Sequence, residues 1–248
     1  MEITILGSGT FIPELKRHCS SYLLNVKNQR IIFDFGRGTL DSLIKLNADL
    51  YSLDKIFISH IHSDHSAELI DFISFIMCNP EKKKLRNFYT IYGPKGTRKK
   101  IRLLMKIFDI SKKNIRRLNL KELKSGDIIK YKNIKIKCFN AEHDGPSLAF
   151  RIEADKKVIC YSGDSAYCKS ILEACKNADL AILESTLPKL STHMGGEDAG
   201  KTAKEANVKK LILTHIARSY LNNAKKEARR HYKGKVIIAK DMMKLKIK

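Results

Sequence analysis

The stretch ISHIHSDHSAEL, residues 58–69, places His60, His62, Asp64 and His65 within six positions. The chain has eight histidines, and three of them stand at this one place. Neutral imidazole is a ligand for Zn2+, Fe or Mn, and a carboxylate supplies the anionic donor of such a site. His60 and His62 are two apart, so in an extended loop both rings can turn to one side. A lone histidine at a strand end is most often a satisfied loop residue. Three of them with an aspartate inside six residues rarely are, and the pattern points to a metal site.

Other elements must position these side chains. KIFIS (55–59) is a short apolar strand, and the histidines begin where it ends. SAELIDFISF then continues as helix, which puts Asp64 and His65 at its start. Further strand-like runs are EITIL (2–6), SYLLNV (21–26), IIFDF (31–35), FYTIY (88–92), IKIKCF (134–139), LAFRIE (148–153), KVICY (157–161), LAILE (180–184), KLILT (210–214) and KVIIA (235–239). Helical spacing fits 40–47, 66–78, 97–109, 166–177, 197–206 and 222–231. GDS at 163–165 and GED at 196–198 read as helix starts with an Asp or Ser cap. Short strands precede helices in both halves and no segment has linker composition. The expected fold is α/β, two packed sheets with helices outside, with residues 1–248 as one domain. GSGT at 7–10 lacks the third glycine and the following helix of a phosphate loop, so it reads as an ordinary turn.

Composition sets the bounds. The hydrophobic fraction of the 248 residues is 43%, enough for a sizeable core. No run approaches the roughly 20 apolar residues of a membrane span, and MEITILGSG reads as a first strand, not a leader. A cytoplasmic protein without membrane contact is expected. The six cysteines, Cys19, Cys78, Cys138, Cys160, Cys168 and Cys175, form no CxxC pair and read as small hydrophobes in a reducing compartment.

The net charge is +22 with a pI near 9.7. Basic clusters lie at 81–86, 95–102, 111–117, 130–137 and 225–235. This balance attracts polyphosphate, above all nucleic acid. It is also what a Lys- and Ile-rich composition or a heat-adapted surface gives. The clusters are spread out and few aromatics interleave them, so charge alone does not identify a partner.

H-x-H-x-D-H resembles the signature of the metallo-β-lactamase superfamily. Asp34 ending IIFD, His143 in AEHDGPSLAFRI, Asp164 in YSGDS and His215 in LILTHIARSY match the family's other motifs in order. The resemblance covers nearly the whole chain and implies a four-layer αβ/βα sandwich. It implies two divalent ions, with Zn2+ the leading choice and Mn2+ or Fe2+ also accepted by this N/O set. His60, His62 and His143 would hold one ion; Asp64, His65 and His215 would hold the other, with Asp164 bridging. Asp34 would orient a ligand imidazole from outside. Two such ions roughly 3.5–4 Å apart, sharing a carboxylate and a water, bring that water's pKa down to about 7. Asp64 could also accept a proton from the nucleophile.

The stretches ILGSGTFIP (5–13), SSYLL (20–24), IIFDFGRGTL (31–40), IYGPKG (91–96), LEST (183–186) and HMGGEDAGKTAKEANVKKLILTHIARSY (193–220) resemble ribonuclease Z, the transfer-RNA 3′-end endonuclease, and its small phosphodiesterase relatives. That resemblance puts His193 near the leaving oxygen as general acid, with Glu184 holding it. Taken alone, His193 is a polar loop residue before a helix. One departure is clear. Ribonuclease Z usually carries a long arm that grips transfer RNA between the third-motif His and the GD motif, and only 20 residues separate His143 from Asp164 here. The expected function is a dinuclear metal-dependent hydrolase cleaving phosphodiester bonds in RNA. The alternative is an arm-less small-molecule or cyclic-nucleotide phosphodiesterase, or another hydrolase of the fold acting on thioesters, lactones or sulfate esters. A non-enzymatic nucleic-acid-binding module stands last, because no ligand of the set is missing. RNA or another phosphodiester is the expected partner, and a homodimer is compatible with it.

Overall fold

The computed structural model describes every residue except Asp54, Lys82, Lys112, Lys189 and Lys248. The first half of the chain builds β1 (Glu2–Gly7), β2 (Ser21–Val26), β3 (Gln29–Phe33), α1 (Thr39–Lys45), β4 (Lys55–Phe57), α2 (Ser63–Ser66), α3 (Leu69–Cys78), β5 (Tyr89–Pro94), α4 (Thr97–Ile107) and β6 (Leu118–Leu123). The second half builds β7 (Ile128–Tyr131), β8 (Ile134–Asn140), β9 (Leu148–Ala154), β10 (Lys157–Tyr161), α5 (Lys169–Cys175), β11 (Leu180–Glu184), α6 (Gly196–Glu205), β12 (Lys210–Thr214), α7 (Leu221–His231), β13 (Lys235–Ile238) and β14 (Lys244–Lys246).

The strands form two seven-stranded sheets, ordered β14-β1-β2-β3-β4-β5-β6 and β13-β12-β11-β10-β9-β8-β7. Strands β3 to β6 run parallel, as do β10 to β13, and the remaining pairings are antiparallel. Within each parallel set the carboxyl ends of the strands share one edge, and loops leaving that edge converge.

Three apolar layers hold the four-layer stack together. Between the sheets lie Phe33, Phe57, Phe150 and Tyr161, with ring centroids 5.4 Å apart for Phe33–Phe57 and 5.5 Å for Phe33–Phe150. Outside the first sheet, α3 buries Leu69, Phe72, Ile73, Ile76 and Met77, a helical i, i+3, i+4, i+7, i+8 stripe. Outside the second sheet, α6 and α7 approach through small residues. A Cβ on Gly196 would lie 2.2 Å from the Ala224 carbonyl oxygen, and one on Gly200 would lie 2.5 Å from that of Ala228. This close docking fixes the start of α6, and with it the loop just upstream.

The expected α/β sandwich with helices outside is the architecture found. Some local expectations need correction. Strands β6, β7 and β14 were not anticipated. Each is an edge strand with a largely exposed or half-buried pattern, so it lacks the apolar run that marks an interior strand. GDS at 163–165 does not start a helix, since α5 begins only at Lys169. It is a tight turn with Gly163 at φ 58°, where a Cβ would come 2.7 Å from that of Ser59. GED does open a helix: α6 starts at Gly196, and the Gly195 N–H donates to the Asp198 carboxylate at 3.2 Å. The helix expected over 66–78 is split into α2 and α3 by a turn at Ala67 and Glu68. IIFDF ends as a strand at Phe33, because Asp34 takes a left-handed φ of 58°. Among the described residues, no helix is long and apolar enough to cross a membrane.

Candidate metal centre

Every expected ligand stands at or just past the carboxyl end of a strand. Asp34 follows β3. His60 and His62 follow β4, and Asp64 and His65 lie in α2. From the other sheet, His143 follows β8, Asp164 follows β10 and His215 follows β12. Glu184 is the last residue of β11, and His193 sits in the loop before α6. The two sheets therefore meet at one rim, with ligands from both.

The side chains fall into groups whose potential ligand atoms lie within 4.8 Å of one another. One group is His60, His62 and His143, with ring centroids 4.6 to 4.9 Å apart. A second is Asp64, His65, Asp164 and His215. Asp164 reaches toward both. Its carboxylate lies 3.2 Å from His65 Nε2, 3.6 Å from His215 Nε2 and 3.9 Å from His60 Nε2. Asp64 approaches His215 Nε2 at 3.0 Å.

The outer nitrogens of these rings are held by hydrogen bonds. His65 Nδ1 lies 2.7 Å from Asp34, a fully buried carboxylate that also accepts from the Ser59 N–H at 2.6 Å, the Ser59 hydroxyl at 2.8 Å and the Tyr161 hydroxyl. Because Ser59 gives its proton to Asp34, it accepts from His60 Nδ1 at 3.1 Å. His143 Nδ1 donates to the Thr192 carbonyl at 3.1 Å. Each arrangement puts the ring proton on Nδ1 and leaves Nε2 bare, facing the centre. This is how a protein prepares imidazole as a ligand.

Three atoms at the centre have no such partners. His60 Nε2, His65 Nε2 and Asp164 Oδ1 are all buried without a hydrogen bond. The 3.2 Å approach of His65 to Asp164 lacks hydrogen-bond geometry. Leaving a buried polar atom unmet costs about 1–3 kcal/mol, and here three such atoms face each other. A cation between them supplies the missing partner, so the donor set fits divalent metal ions. The charged groups at the centre also act strongly on one another. Burial would raise the Asp164 pKa, but His215 and His65 hold it well below the usual carboxylate range. Burial would lower that of His65, yet Asp164 and Asp34 raise it well above the histidine range. His60 is pushed well down, chiefly by burial and then by His65.

A third group, Asp164, Glu184, His193 and His215, has the same residue types but different valence. Glu184 is fully satisfied. It accepts from the Ser165 N–H at 2.5 Å, from the Thr186 hydroxyl at 2.6 Å, and from His193 Nδ1 at 3.0 and 3.1 Å. Burial and then Asp164 raise the Glu184 pKa. Burial would lower that of His193, but the Glu184 hydrogen bond and the charges of Glu184 and Asp164 together outweigh it and the net shift is upward. A buried carboxylate holding a partly exposed imidazole is an arrangement that can pass a proton.

The structure thus brings together all the residues singled out from the sequence. It adds Ser59, Tyr161, Thr186 and the Thr192 carbonyl, which sequence reading missed. Tyr161 and Thr186 each lie within three residues of a named ligand or acid, which was the only signal they gave. The basic cluster at 81–86 lies elsewhere. It follows α3, at the far end of that helix, and Arg86 bonds the Ser52 carbonyl near the entry ends of β4 and β5. Lys82 of that cluster lies outside the described residues.

The model of the beta-lactamase superfamily domain matches residues 29–216. Ribonuclease Z of Methanosarcina acetivorans is 28% identical over 312 aligned positions, covering 100% of this chain and 98% of that protein. An alignment longer than this chain means that the relative carries insertions with no counterpart here. The solved structure of human tRNase Z, short form, is 26% identical with a TM-score of 0.81 and covers 100% of both chains. The metallo-beta-lactamase fold protein YhfI from Bacillus subtilis is 25% identical with a TM-score of 0.85 and covers 98% of each chain. With the family model spanning most of its length and the ligands at the strand ends of both sheets, this chain belongs to the beta-lactamase superfamily.

Proposed function

We propose that this protein is a dinuclear metal-dependent hydrolase that cleaves phosphodiester bonds in RNA, in the manner of ribonuclease Z. The observation that carries the metal reading is the trio of buried, partnerless atoms on His60, His65 and Asp164. His60, His62 and His143 would hold one ion, Asp64, His65 and His215 the other, and Asp164 both, with Zn2+ the preferred ion and Mn2+ or Fe2+ acceptable. Such ions, when bound, supply a nucleophilic water near neutral pH and offset charge on the phosphoryl oxygens.

The chain's own residues do the rest. Asp34 keeps His65 in one orientation. Asp64 stands where it can take a proton from the attacking group. His193, with Nδ1 held by Glu184, keeps its other nitrogen to donate a proton to the leaving oxygen. The RNA reading is supported by the full-length likeness to proteins named Ribonuclease Z and by the basic surface.

A second reading has its own observation. β9 and β10 are joined by a tight turn at Asp155 and Lys156, so no arm stands between His143 and Asp164. That favours small or cyclic phosphodiesters over a folded transfer RNA. Metal analysis followed by hydrolysis of bis-nitrophenyl phosphate, cyclic nucleotides, precursor transfer RNA and a thioester decides between them. RNA cleavage is the expected result, and turnover confined to small diesters would replace it with the second reading. No turnover of any phosphodiester by metal-loaded protein would sink both.

The proposal includes residues 1–248 as one unit, since both sheets contribute ligands to one centre. It includes a reducing, cytoplasmic setting, with all six cysteines free. It also includes a homodimer. Leu103, Leu104 and Ile107 of α4 and Phe108 just past it are exposed, and a groove of about 490 Å³ between α3 and α4 is lined by Ile61, Ile70, Ile73, Leu103, Leu104 and Phe108. Sedimentation at micromolar concentration should show twice the chain mass, and a monomer there would remove that part of the proposal.

A further inference from the structure

Thr186 lies between the two clusters and belongs to neither. Its Oγ1 is 2.6 Å from Glu184 Oε2, 2.8 Å from His215 Nδ1 and 3.0 Å from the His215 carbonyl oxygen. The residue is buried. A hydroxyl has one proton to give and two lone pairs to receive with.

With a metal ion on Nε2 of His215, the proton balance admits one solution. Glu184 Oε2 is a carboxylate oxygen at the shorter distance, so it takes the Thr186 proton. The His215 carbonyl can only accept. Were Nδ1 of His215 bare, it would compete for that same proton, and the 2.8 Å contact or the 2.6 Å contact would become a clash of lone pairs. His215 must therefore carry its proton on Nδ1 and donate it to Thr186. Nε2 is then the nitrogen left for the ion, and it stands 3.0 Å from Asp64 and 3.6 Å from Asp164; with no ion bound it can instead donate a proton to Asp64.

We propose that Thr186 is a positioning residue whose single hydroxyl accepts the His215 Nδ1–H hydrogen bond and anchors Glu184, so that the metal centre and the acid pair share one hydrogen-bond chain. The chain runs from His215 Nδ1–H to the Thr186 oxygen, and from the Thr186 proton to Glu184, which in turn holds His193. His60 has Ser59 for this purpose, His65 has Asp34 and His143 has a backbone carbonyl. For His215 the acceptor is a hydroxyl that is itself committed to the acid. The backbone reinforces the contact: His215 sits at a left-handed φ of 51°, and the Ala217 N–H donates to the Thr186 carbonyl at 3.1 Å, so the two loops are tied twice. This inference rests on the metal reading given above for His215.

The test uses Thr186→Val, which keeps the shape and removes the hydroxyl, with Thr186→Ser as the rescue. Three quantities are read on the full chain. The first is the protection of the His215 Nδ1 proton from solvent exchange in Zn2+-loaded protein, by 15N–1H correlation of the imidazole. The second is Zn2+ binding by titration calorimetry. The third is the ratio of turnover on an RNA diester to turnover on bis-nitrophenyl phosphate. Wild type and Thr186→Ser should show a protected Nδ1–H. Thr186→Val should lose that protection, bind one of the two ions about 10–100-fold more weakly, the usual range for a lost outer hydrogen bond, and lower the turnover ratio. Thr186→Val with a wild-type Nδ1–H signal and wild-type Zn2+ binding would overturn the proposal. So would a Thr186→Ser that behaves like Thr186→Val, because then the methyl and not the hydroxyl matters. If wild type takes up no metal the dinuclear reading fails, whereas metal uptake with an unchanged Nδ1–H in Thr186→Val overturns the role of Thr186 alone. A melting temperature shared by all three proteins excludes a general loss of structure.

Discussion

The two histidine–carboxylate clusters at the rim are built from the same residue types and share Asp164, yet they differ in what their atoms lack. In the His60–His65–Asp164 cluster, inward-facing atoms are buried without partners. In the Glu184–His193 pair, both carboxylate oxygens are fully bonded. Open valence calls for a cation, and closed valence calls for a proton. Composition alone does not separate the two, and hydrogen-bond accounting does.

The largest effect should come from spoiling the shared member. Asp164→Asn keeps the volume and removes the charge that both ion positions need. It should lose both metals and orders of magnitude in activity, read by elemental analysis beside turnover. Full occupancy with two ions would break the distinction drawn between the clusters.

His193→Ala should act on the other cluster only. It should retain both ions and slow cleavage of an alkoxide-leaving RNA diester by about 10²–10⁴-fold, the usual contribution of a general acid. Nitrophenolate leaves without a proton, so bis-nitrophenyl phosphate should lose far less. Equal losses on the two substrates would return His193 to an ordinary loop residue.

Glu184→Gln sharpens the same point through pH. Glu184 raises the His193 pKa above the ordinary histidine value. The protonated, acid-competent form therefore persists to higher pH in the wild type, and RNA cleavage should fall only as pH rises through that raised value. The same sign holds for stability: the ion pair contributes below the ordinary histidine pKa and is lost as pH climbs through the raised one. Removing the carboxylate should move the falling limb of the rate profile to lower pH. An unmoved limb would assign it to some other group.

The smallest effect concerns the basic surface. RNA affinity should fall with salt by a slope of about −0.7 per phosphate contact on single strands. Lys83 and Lys84 lie beyond the far end of α3, ten residues or about 15 Å from the metal end of that helix. Lys84 is also paired with Glu81 at 2.6 Å. Replacing both by alanine should leave the slope nearly unchanged, and a clear flattening would show that RNA runs along that face.

How much of this was legible depended on whether a feature is written along the chain or across it. The ligand set could be read because each member follows an apolar strand, and strand ends are where a parallel sheet gathers its loops. Interior strands such as KVICY and LAILE were equally plain, being buried on both faces. The polar edge strands β6, β7 and β14 were not, because a strand covered on few sides carries no apolar run. The turn at GDS was mistaken for a helix start because a cap and a tight turn use the same residues. Ser59, Tyr161 and Thr186 escaped because a hydroxyl's partner is set by packing between distant segments. Tyr161 and Asp34 are 127 positions apart, and no periodicity marks such a pair.

Those polar edges have a consequence for how the molecule behaves in a crowd. The outermost strands of the two sheets all bear lysine: Lys121 on β6, Lys130 on β7, Lys235 on β13, and Lys244 and Lys246 on β14. An open edge is a template on which another copy's strand can dock, and a lysine there sets ammonium against ammonium when it tries. Part of the surplus positive charge thus serves as insulation against sheet-to-sheet aggregation and owes nothing to substrate. Neutralising it would make the protein stick to itself before it made the enzyme slow.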